Sequence, residues 1–189
     1  MKEDFSADVL HWDQYNKYLK GLEETEQYQK ALYVLMQQRT GYRYQDVGQI
    51  TPNMIHRGSE LAIKEFKTKK QRKVQIPELV TSQAMHYLSK LDIPGDCSIL
   101  KGKMAKVHDI TWMNRKMKID KERFDLDINN FSTHSMRKGH GWRIFDKLGQ
   151  DIKAILTVQK VYLHSNMSIT VRYLKIDQHE VDQAVLNMD

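Results

Sequence analysis

The chain has 189 residues, 40% of them hydrophobic and 29% charged, which is typical of one globular domain and excludes an intrinsically disordered chain. Its apolar runs are too short to cross a bilayer, its first residues lack the pattern of a secretory signal, and its single cysteine, Cys97, cannot form an internal disulfide. The net charge of +6 favours a polyanionic partner such as nucleic acid, because bound phosphates displace counterions. These features predict a cytoplasmic protein.

Two helices are predicted in the first part of the chain. The first is expected near residues 7–20, with Trp12 on its apolar side. The second is expected over residues 25–39, because apolar residues recur there at the i, i+3, i+4, i+7 and i+8 positions of one helix face. Gly41 follows that pattern and is a natural helix stop.

Residues 60–77 predict a β-hairpin. The apolar spacing indicates two short strands, which contain Leu61, Ile63 and Phe66, then Val74 and Ile76. The segment between them, residues 67–73, is polar and strongly basic and is expected to form a cationic tip. Pro77 ends the second strand, because proline cannot donate a hydrogen bond to a ladder.

The rest of the chain is predicted to be mostly helical, apart from a loop at residues 92–102 that is marked by Pro94, Gly95 and Gly102. The helical segments are expected at residues 78–91, 102–118, 132–148, 151–163, 167–175 and 178–187. The predicted fold class is therefore mostly α with a small antiparallel β-sheet (α+β), in a single domain.

Arg43 and Asp46 follow the expected helix stop, in a Thr-Gly-Tyr-Arg-Tyr-Gln-Asp segment that begins at Thr40. The planar fork of an arginine matches two oxygens of one phosphate. Taken alone, the two residues are better explained as a surface ion pair, because most charged residues are solvated.

His134 and Arg137 are three residues apart near the start of a predicted helix, so they share one face beside the positive end of the helix dipole. Together they could bind one phosphate, although a His-x-x-Arg pattern alone has little specificity. His164 and Tyr173 come later in the chain. A free tyrosine has a pKa near about 10, but cationic neighbours stabilise its phenolate, which can then attack phosphorus. A tyrosine packed in the core is the alternative.

Taken in order, these segments resemble the tyrosine recombinase, or phage integrase, family. Its members typically read Thr-Gly-Leu-Arg-x-x-Glu, then a strand with Lys-Thr, then His-x-Leu-Arg, Gly-His-Ser and Thr-x-x-Tyr. This chain has the Arg43 segment, Lys-Thr at Lys67, His-Ser-Met-Arg at His134, Leu-His-Ser at Leu163 and Thr-Val-Arg-Tyr ending at Tyr173. The resemblance covers residues 25–175 and implies the fold of the family's catalytic domain.

The resemblance implies a site-specific DNA recombinase or integrase in which Tyr173 attacks a phosphodiester and forms a 3′-phosphotyrosyl bond. Arg43 and Arg137 would hold the non-bridging oxygens, because negative charge builds there. His164 would donate a further hydrogen bond to the phosphate, and His134 would act in proton transfer. No cofactor is implied, because the energy of the broken bond is kept in the protein–DNA ester.

Lys69 is the expected general acid for the leaving 5′ oxygen, since its distance to Pro77 best matches the family pattern, and Lys67 is the alternative. Asp46 would orient Arg43. The resemblance further implies contacts with the DNA backbone from Lys67, Lys70, Arg72, Lys138 and Arg172.

Three features depart from the family pattern. Lys138-Gly139 follows Arg137 where the family usually has a His or Arg and a small hydroxyl residue, and Leu163 replaces a glycine. The stretch from Arg137 to His164 is also a few residues longer. These departures affect the docking of the last helices and leave every catalytic side chain in place.

Family members usually carry a helical core-binding domain before the catalytic domain, and residues 1–24 are too few to form one. The expected organisation is one catalytic domain, residues 1–189, with a lead-in at 1–24 and a tail at 176–189. The tail would dock on its own domain or on a neighbouring subunit. The expected partners are double-stranded DNA and further copies of the chain in a tetrameric synapse at the nucleoid, with no membrane and no nucleotide cofactor.

Three other functions stay open from the sequence. The first two are a non-catalytic DNA-binding protein of the same fold and a topoisomerase-like enzyme that relaxes supercoils. The third is a metal nuclease with His134, His140 and His164 as ligands, although His140 is expected to be a helix residue without a chemical role.

Overall fold

The computed structural model of the chain describes residues 6–101 and 109–176. Its elements follow in chain order: α1 (Trp12–Glu24), α2 (Tyr28–Thr40), α3 (Tyr44–Val47), α4 (Pro52–His56), β1 (Glu60–Lys64), β2 (Gln71–Gln75), α5 (Glu78–Leu88), α6 (Ile110–Arg123), α7 (Thr133–Lys147), α8 (Ile152–Tyr162) and α9 (Met167–Leu174). The predicted class, mostly α with one small antiparallel sheet, is confirmed.

Side-chain caps fix the start of most helices in the second half of the chain. Each capping oxygen accepts a hydrogen bond from a backbone N–H that the first helical turn leaves without a partner. The caps are Asp109 for α6, Ser132 for α7, Asp151 for α8 and Asn166 for α9. At α7 the Ser135 side chain also bonds back to the Ser132 backbone, which completes a capping box.

The central helix is α2, which packs against α1, α5 and α7. Four consecutive residues, Leu32 to Leu35, are fully buried, so the middle of this helix is enclosed on every side, as expected for a core helix. A second apolar cluster joins α7, α8 and α9 and includes Phe145, Val158 and Leu174. The C-terminal pair of helices thus docks on α7, the same helix that packs on α2.

The hairpin is a two-stranded antiparallel sheet in which Leu61 pairs with Val74 and Ile63 with Arg72. Leu61 and Ile63 point into the core. Phe66, predicted within the first strand, lies in the turn instead and is 51% exposed, because the ladder ends at Lys64.

Most predicted helices are present with shifted ends. The first begins at Trp12 and continues to Glu24, and α6 runs from Ile110 to Arg123 rather than over residues 102–118, of which 102–108 lie outside the described residues. The short helices α3 and α4 were not predicted. The helix expected at residues 178–187, like nearly all of the predicted tail, also falls outside the described residues. None of the helices in the described ranges combines the length and the apolar character that crossing a membrane requires.

Candidate active site

Arg43 lies at the start of α3, just after the chain leaves the core helix α2. The turn is possible because Gly41 takes a left-handed conformation with φ of 61°. The Arg43 side chain is 23% exposed, and its Nη1 donates a hydrogen bond of 2.9 Å to Glu65 Oε2. Asp46 was predicted to orient Arg43, but its Oδ2 is 3.9 Å from Nη1. Glu65 is therefore the closer carboxylate.

Arg137 projects from α7 into the interior and is only 2% exposed. Its Nη1 donates to the carbonyl oxygen of Gly41, and its guanidinium carbon lies 4.1 Å from the centre of the Tyr162 ring. Its Nη2 is buried and has no hydrogen-bond partner among the described residues. A buried donor of this kind is costly unless something else accepts from it.

Tyr173 on α9 faces the same space. Its hydroxyl is buried and makes no hydrogen bond within residues 6–101 and 109–176. Its ring lies 6.0 Å from the Arg137 guanidinium carbon and 5.3 Å from the His164 ring. Burial raises the pKa of Tyr173, while the charge and the hydrogen-bonding proximity of Arg137, together with the charge of Arg43, oppose that rise. The predicted nucleophile and the predicted second arginine are thus neighbours.

Two histidines complete the cluster. His164 Nδ1 is 3.0 Å from Thr170 Oγ1. Burial, together with the charges of Arg137 and Arg43, lowers the pKa of His164 to about 4. His134, in the first turn of α7, is solvent accessible. Its pKa is lowered by partial desolvation and by the same two arginines. Both imidazoles therefore lie in a region where positive charge predominates.

The family model described as "Phage integrase family" matches residues 8–180 of the chain. The chain belongs to the phage integrase family. No curated protein matches this family member in sequence.

Solved structures of integrase-family proteins share the fold. XerA recombinase superposes with a TM-score of 0.70 at 15% identity, over 94% of this chain and 64% of its own. XerH recombinase bound to its difH substrate before cleavage gives 0.71 at 13% identity, over 100% and 56%. The catalytic domain of bacteriophage HP1 integrase gives 0.59 at 16% identity, over 97% and 96%. This integrase-family chain therefore has the tyrosine recombinase catalytic-domain fold, and it spans about half to two thirds of the XerH and XerA chains.

Leu163 is the residue that replaces the expected family glycine. It takes a left-handed conformation with φ of 56° as it ends α8, which is the conformation that glycine adopts without steric cost. The departure from the integrase pattern is thus accommodated by backbone strain and not by a change of path. The next residue, His164, still reaches the cluster.

The structure distinguishes the two candidate lysines. Both Lys67 and Lys69 are exposed in the turn of the hairpin. The charge of Lys67 contributes to the lowered pKa of both His134 and His164. Lys69 takes a left-handed backbone conformation, with φ of 58°, and its charge is not among the main causes of either shift. Electrostatics therefore favours the alternative candidate, Lys67, over Lys69.

Two residues expected to contact DNA are instead buried. Arg72 is 8% exposed, and its guanidinium donates to the carbonyl oxygens of Thr40, at 2.6 Å, and Gly41, at 3.3 Å. Lys138 is 5% exposed, and its Nζ donates to the carbonyl oxygen of Ala7 at 2.6 Å. Their charges act inside the domain, and a direct contact with DNA would require each side chain to leave these hydrogen bonds. Lys70 and Arg172 are exposed, as that role requires.

His140 lies within α7 and contacts the backbone of α2. Its Nδ1 is 2.8 Å from the carbonyl oxygen of Gln38, and burial lowers its pKa to about 4. Within the described ranges, no group of three His, Cys, Asp or Glu side chains has the arrangement of a metal site.

Two residues of the site had no signal in the sequence. Glu65 is fully buried although it follows a charged strand end, and Tyr162 is fully buried beneath the Arg137 guanidinium. A carboxylate beside lysines normally indicates a solvated turn, and a tyrosine near a helix end normally indicates core packing. Only the long-range contacts of these residues reveal a link to the site.

Proposed function

We propose that this chain is the catalytic unit of a DNA recombinase that cleaves and rejoins strands through a 3′-phosphotyrosyl intermediate on Tyr173. The observation that carries the proposal is the convergence of two buried polar groups, Arg137 Nη2 and Tyr173 Oη, which make no hydrogen bond of good geometry to the other described residues and lie close enough for Arg137 to act on the tyrosine hydroxyl. Arg43, His134 and His164 surround them. One phosphate would satisfy the arginine donor and bring phosphorus to the nucleophile.

The chemical step forms one bond and breaks one bond. Tyr173 Oη attacks a backbone phosphorus, the Oη–P bond forms, and the bond from phosphorus to the 5′ oxygen breaks. The phenol proton passes to a base, and the leaving oxygen gains a proton from an acid. Attack by the 5′ hydroxyl of another strand reverses the step and seals the DNA. Because the ester conserves the energy, the chemistry requires no ATP.

Arg43 and Arg137 would bind the non-bridging oxygens. Negative charge grows on those oxygens as phosphorus becomes five-coordinate, and fixed guanidiniums in a partly dry site stabilise such charge strongly. Arg137 is held by Gly41 and Tyr162, and Arg43 is held by Glu65. Neither arginine would need to reorganise during the reaction.

The histidines are suited to hydrogen bonding and proton transfer. The lowered pKa values favour neutral imidazoles in the DNA-free protein. Thr170 occupies Nδ1 of His164, which leaves Nε2 for a phosphate oxygen. His134, at the accessible edge of the cluster, would accept the phenol proton.

Lys67, rather than Lys69, would protonate the leaving 5′ oxygen. Its support is electrostatic, because its positive charge contributes to the lowered pKa of both His134 and His164. A mobile ammonium group on a flexible stem can follow a departing oxygen better than a fixed guanidinium.

The DNA surface would extend from the hairpin to α6. Lys70 and Arg172 are exposed beside the cluster, and α6 carries the exposed residues Arg115 and Lys118. Asn114 on α6 accepts a hydrogen bond of 2.9 Å from the Thr133 backbone N–H, so α6 adjoins the start of the helix that carries His134 and Arg137. Phosphates on either side of the cleaved bond would meet these groups.

Double-stranded DNA is the proposed partner. XerH and a Tn1549 transposon integrase, which share the fold, were both solved as DNA complexes. We also propose that the chain acts as an assembly on DNA, with four copies in a synapse, and that residues 176–189 contribute to contacts between copies.

Capture of a covalent adduct tests the proposal. Nicked duplexes with a randomised segment around the nick are incubated with the protein, and adducts that resist SDS are isolated and sequenced. The wild type should form the adduct and Tyr173→Phe should not, whereas Tyr28→Phe, on α2 beside Tyr87, is the matched control that should. An adduct with Tyr173→Phe would refute the assignment. DNA binding by the wild type without any adduct would indicate a non-catalytic DNA-binding protein.

A further inference from the structure

Glu65 is a fully buried carboxylate at the end of β1 that joins three parts of the molecule. Its Oε2 accepts hydrogen bonds from Arg43 Nη1 at 2.9 Å and from Thr68 Oγ1 at 3.0 Å. Its Oε1 lies 3.5 Å from Arg72 Nη1. A single side chain thus contacts the phosphate-binding arginine, the hairpin turn and the second strand.

The backbone of Glu65 also closes the turn that carries Lys67. The Glu65 N–H donates to the carbonyl oxygen of Lys70 at 3.0 Å, and the Lys69 N–H donates to the carbonyl oxygen of Glu65 at 2.9 Å. The Lys70 N–H lies 3.3 Å from Thr68 Oγ1, which itself donates to the Glu65 carboxylate. The turn at residues 65–70 is therefore tied to the Glu65 carboxylate through Thr68.

Charge explains why a carboxylate is stable at this buried position. Burial alone would raise the pKa of Glu65, but the hydrogen bond from Thr68 and the charges of Arg43 and Arg137 lower it overall. The neighbouring Asp46 shows the opposite balance, because burial and the charge of Glu65 raise its pKa. Of these two buried carboxylates, Glu65 is the one whose ionised form the surrounding charges and hydrogen bonds favour.

We propose that Glu65 is a positioning residue that couples the Lys67 turn to Arg43. It would hold the proposed general acid, Lys67, in a fixed position relative to the phosphate-binding arginine. The inference rests on the proposed function and adds a residue to it. A lysine on an unrestrained turn would lose conformational entropy each time it reached the leaving oxygen. Anchoring the turn before DNA binds removes part of that cost from the reaction.

Four substitutions test the contacts of Glu65 with Thr68 and with Arg43 separately. Thr68→Val removes only the hydroxyl that ties the turn to the carboxylate, and Thr68→Ser restores it. Glu65→Gln keeps the shape of the side chain but weakens the bonds to both Arg43 and Thr68. Lys73→Ala breaks an exposed ion pair with Glu60, 3.2 Å long, in the same hairpin, and serves as the matched control.

The readout is single-turnover adduct formation on a duplex recovered from the randomised pool. The duplex is made in two forms, with oxygen or with sulfur at the bridging 5′ position of the cleaved phosphate. A leaving thiolate needs no proton, because thiols are far more acidic than alcohols. A defect in the acid is therefore rescued by sulfur, whereas a defect in the phosphate clamp persists on both forms.

Thr68→Val should slow the oxygen substrate about tenfold, a fraction of the full contribution of a general acid. It should react within about threefold of the wild type on sulfur. Lys67→Ala should be slowed further on the oxygen substrate and should also recover on the sulfur substrate. Arg43→Ala should be slow on both substrates. Glu65→Gln should be slow on both forms of the substrate and slower on the oxygen form, because it weakens the contacts with both Arg43 and Thr68. Thr68→Ser and Lys73→Ala should match the wild type.

The experiment distinguishes failure of the proposed function from failure of the proposed Glu65 coupling. If the wild type forms no adduct with either substrate, the proposed function is wrong and the coupling falls with it. If the wild type reacts but Thr68→Val and Glu65→Gln slow both forms by one common factor, or not at all, Glu65 is only a structural residue. Thermal melting of each variant checks the fold, and Thr68→Val with its Ser rescue decides the matter if Glu65→Gln does not fold.

Discussion

Protonation of His140 should destabilise the fold as the pH falls. Its Nδ1 lies 2.8 Å from the carbonyl oxygen of Gln38, which links α7 to α2. Burial lowers its pKa from 6.5 to about 4, the hydrogen bond to Gln38 opposes this shift, and the charges of Arg72 and Arg137 reinforce it. The unfolded chain therefore takes up a proton at a higher pH than the folded chain does.

The size of the effect follows from linkage between protonation and folding. The folded pKa lies below the unfolded pKa, so the stability is fully present above about pH 6.5 and is lost as the pH falls towards about 4. Between pH 7.5 and pH 5 the free energy of unfolding should fall by about 2 kcal/mol on account of this one group. His164 has a similarly lowered pKa, but a comparison of the wild type with a variant at His140 cancels its contribution, because both proteins contain it.

Urea denaturation of the wild type and His140→Asn at the two pH values measures the effect. The asparagine amide can replace the Nδ1 donor but cannot be protonated. The variant should be less stable than the wild type at pH 7.5, because packing is lost. Its free energy of unfolding should then fall less between pH 7.5 and pH 5. The wild type should lose about 2 kcal/mol more than the variant. His86→Asn, at an exposed position on α5, serves as the control. Equal losses for wild type and His140→Asn would refute the assignment.

Three further outcomes are expected. Gly41→Ala should destabilise by about 2 kcal/mol or more in thermal melts, because φ is +61° and a Cβ would lie 2.9 Å from the Tyr162 ring; an unchanged melting temperature would contradict this packing. Tyr162→Phe removes the 2.5 Å hydrogen bond to the Arg137 carbonyl oxygen and should cost about 1 kcal/mol. It should slow adduct formation less than Tyr162→Leu, which also removes the ring beneath the guanidinium, and equal rates for the two would refute that role. Alanine at Arg115 and Lys118 should reduce the salt dependence of DNA affinity by about one unit per residue in binding titrations, and an unchanged slope would exclude α6 from the interface.

The long helices could be predicted because local rules govern them. The apolar repeat of α2 and the glycine after it set the helix and its end, with only small shifts at each boundary. The helices α3 and α4 have four and five residues, too few for a hydrophobic period to be visible. Phe66 was placed in a strand because its spacing fits one, but the ladder ends before it. Strand length depends on the partner strand and the turn, which a single segment does not specify.

The residues of the candidate site also differ in whether local sequence or the tertiary structure points to them. Short motifs with a distinctive spacing are enough to identify Arg43, His134, Arg137, His164 and Tyr173 from the sequence. Lysines in one turn have nearly the same sequence context, so only the folded turn shows that the charge of Lys67 reaches the histidines.

The sequence by itself determined the fold class, the order of the helices and the chemical types gathered at the site, because periodicity, caps and motif spacing are properties of neighbouring residues. The tertiary structure decided which charged side chains are buried. Arg72, Lys138 and Glu65 have the appearance of solvated residues in the sequence, yet each lies inside the domain with partners in distant parts of the chain. The free energy of a buried charge depends on those partners and not on its neighbours in sequence, so these roles emerge only when the chain folds.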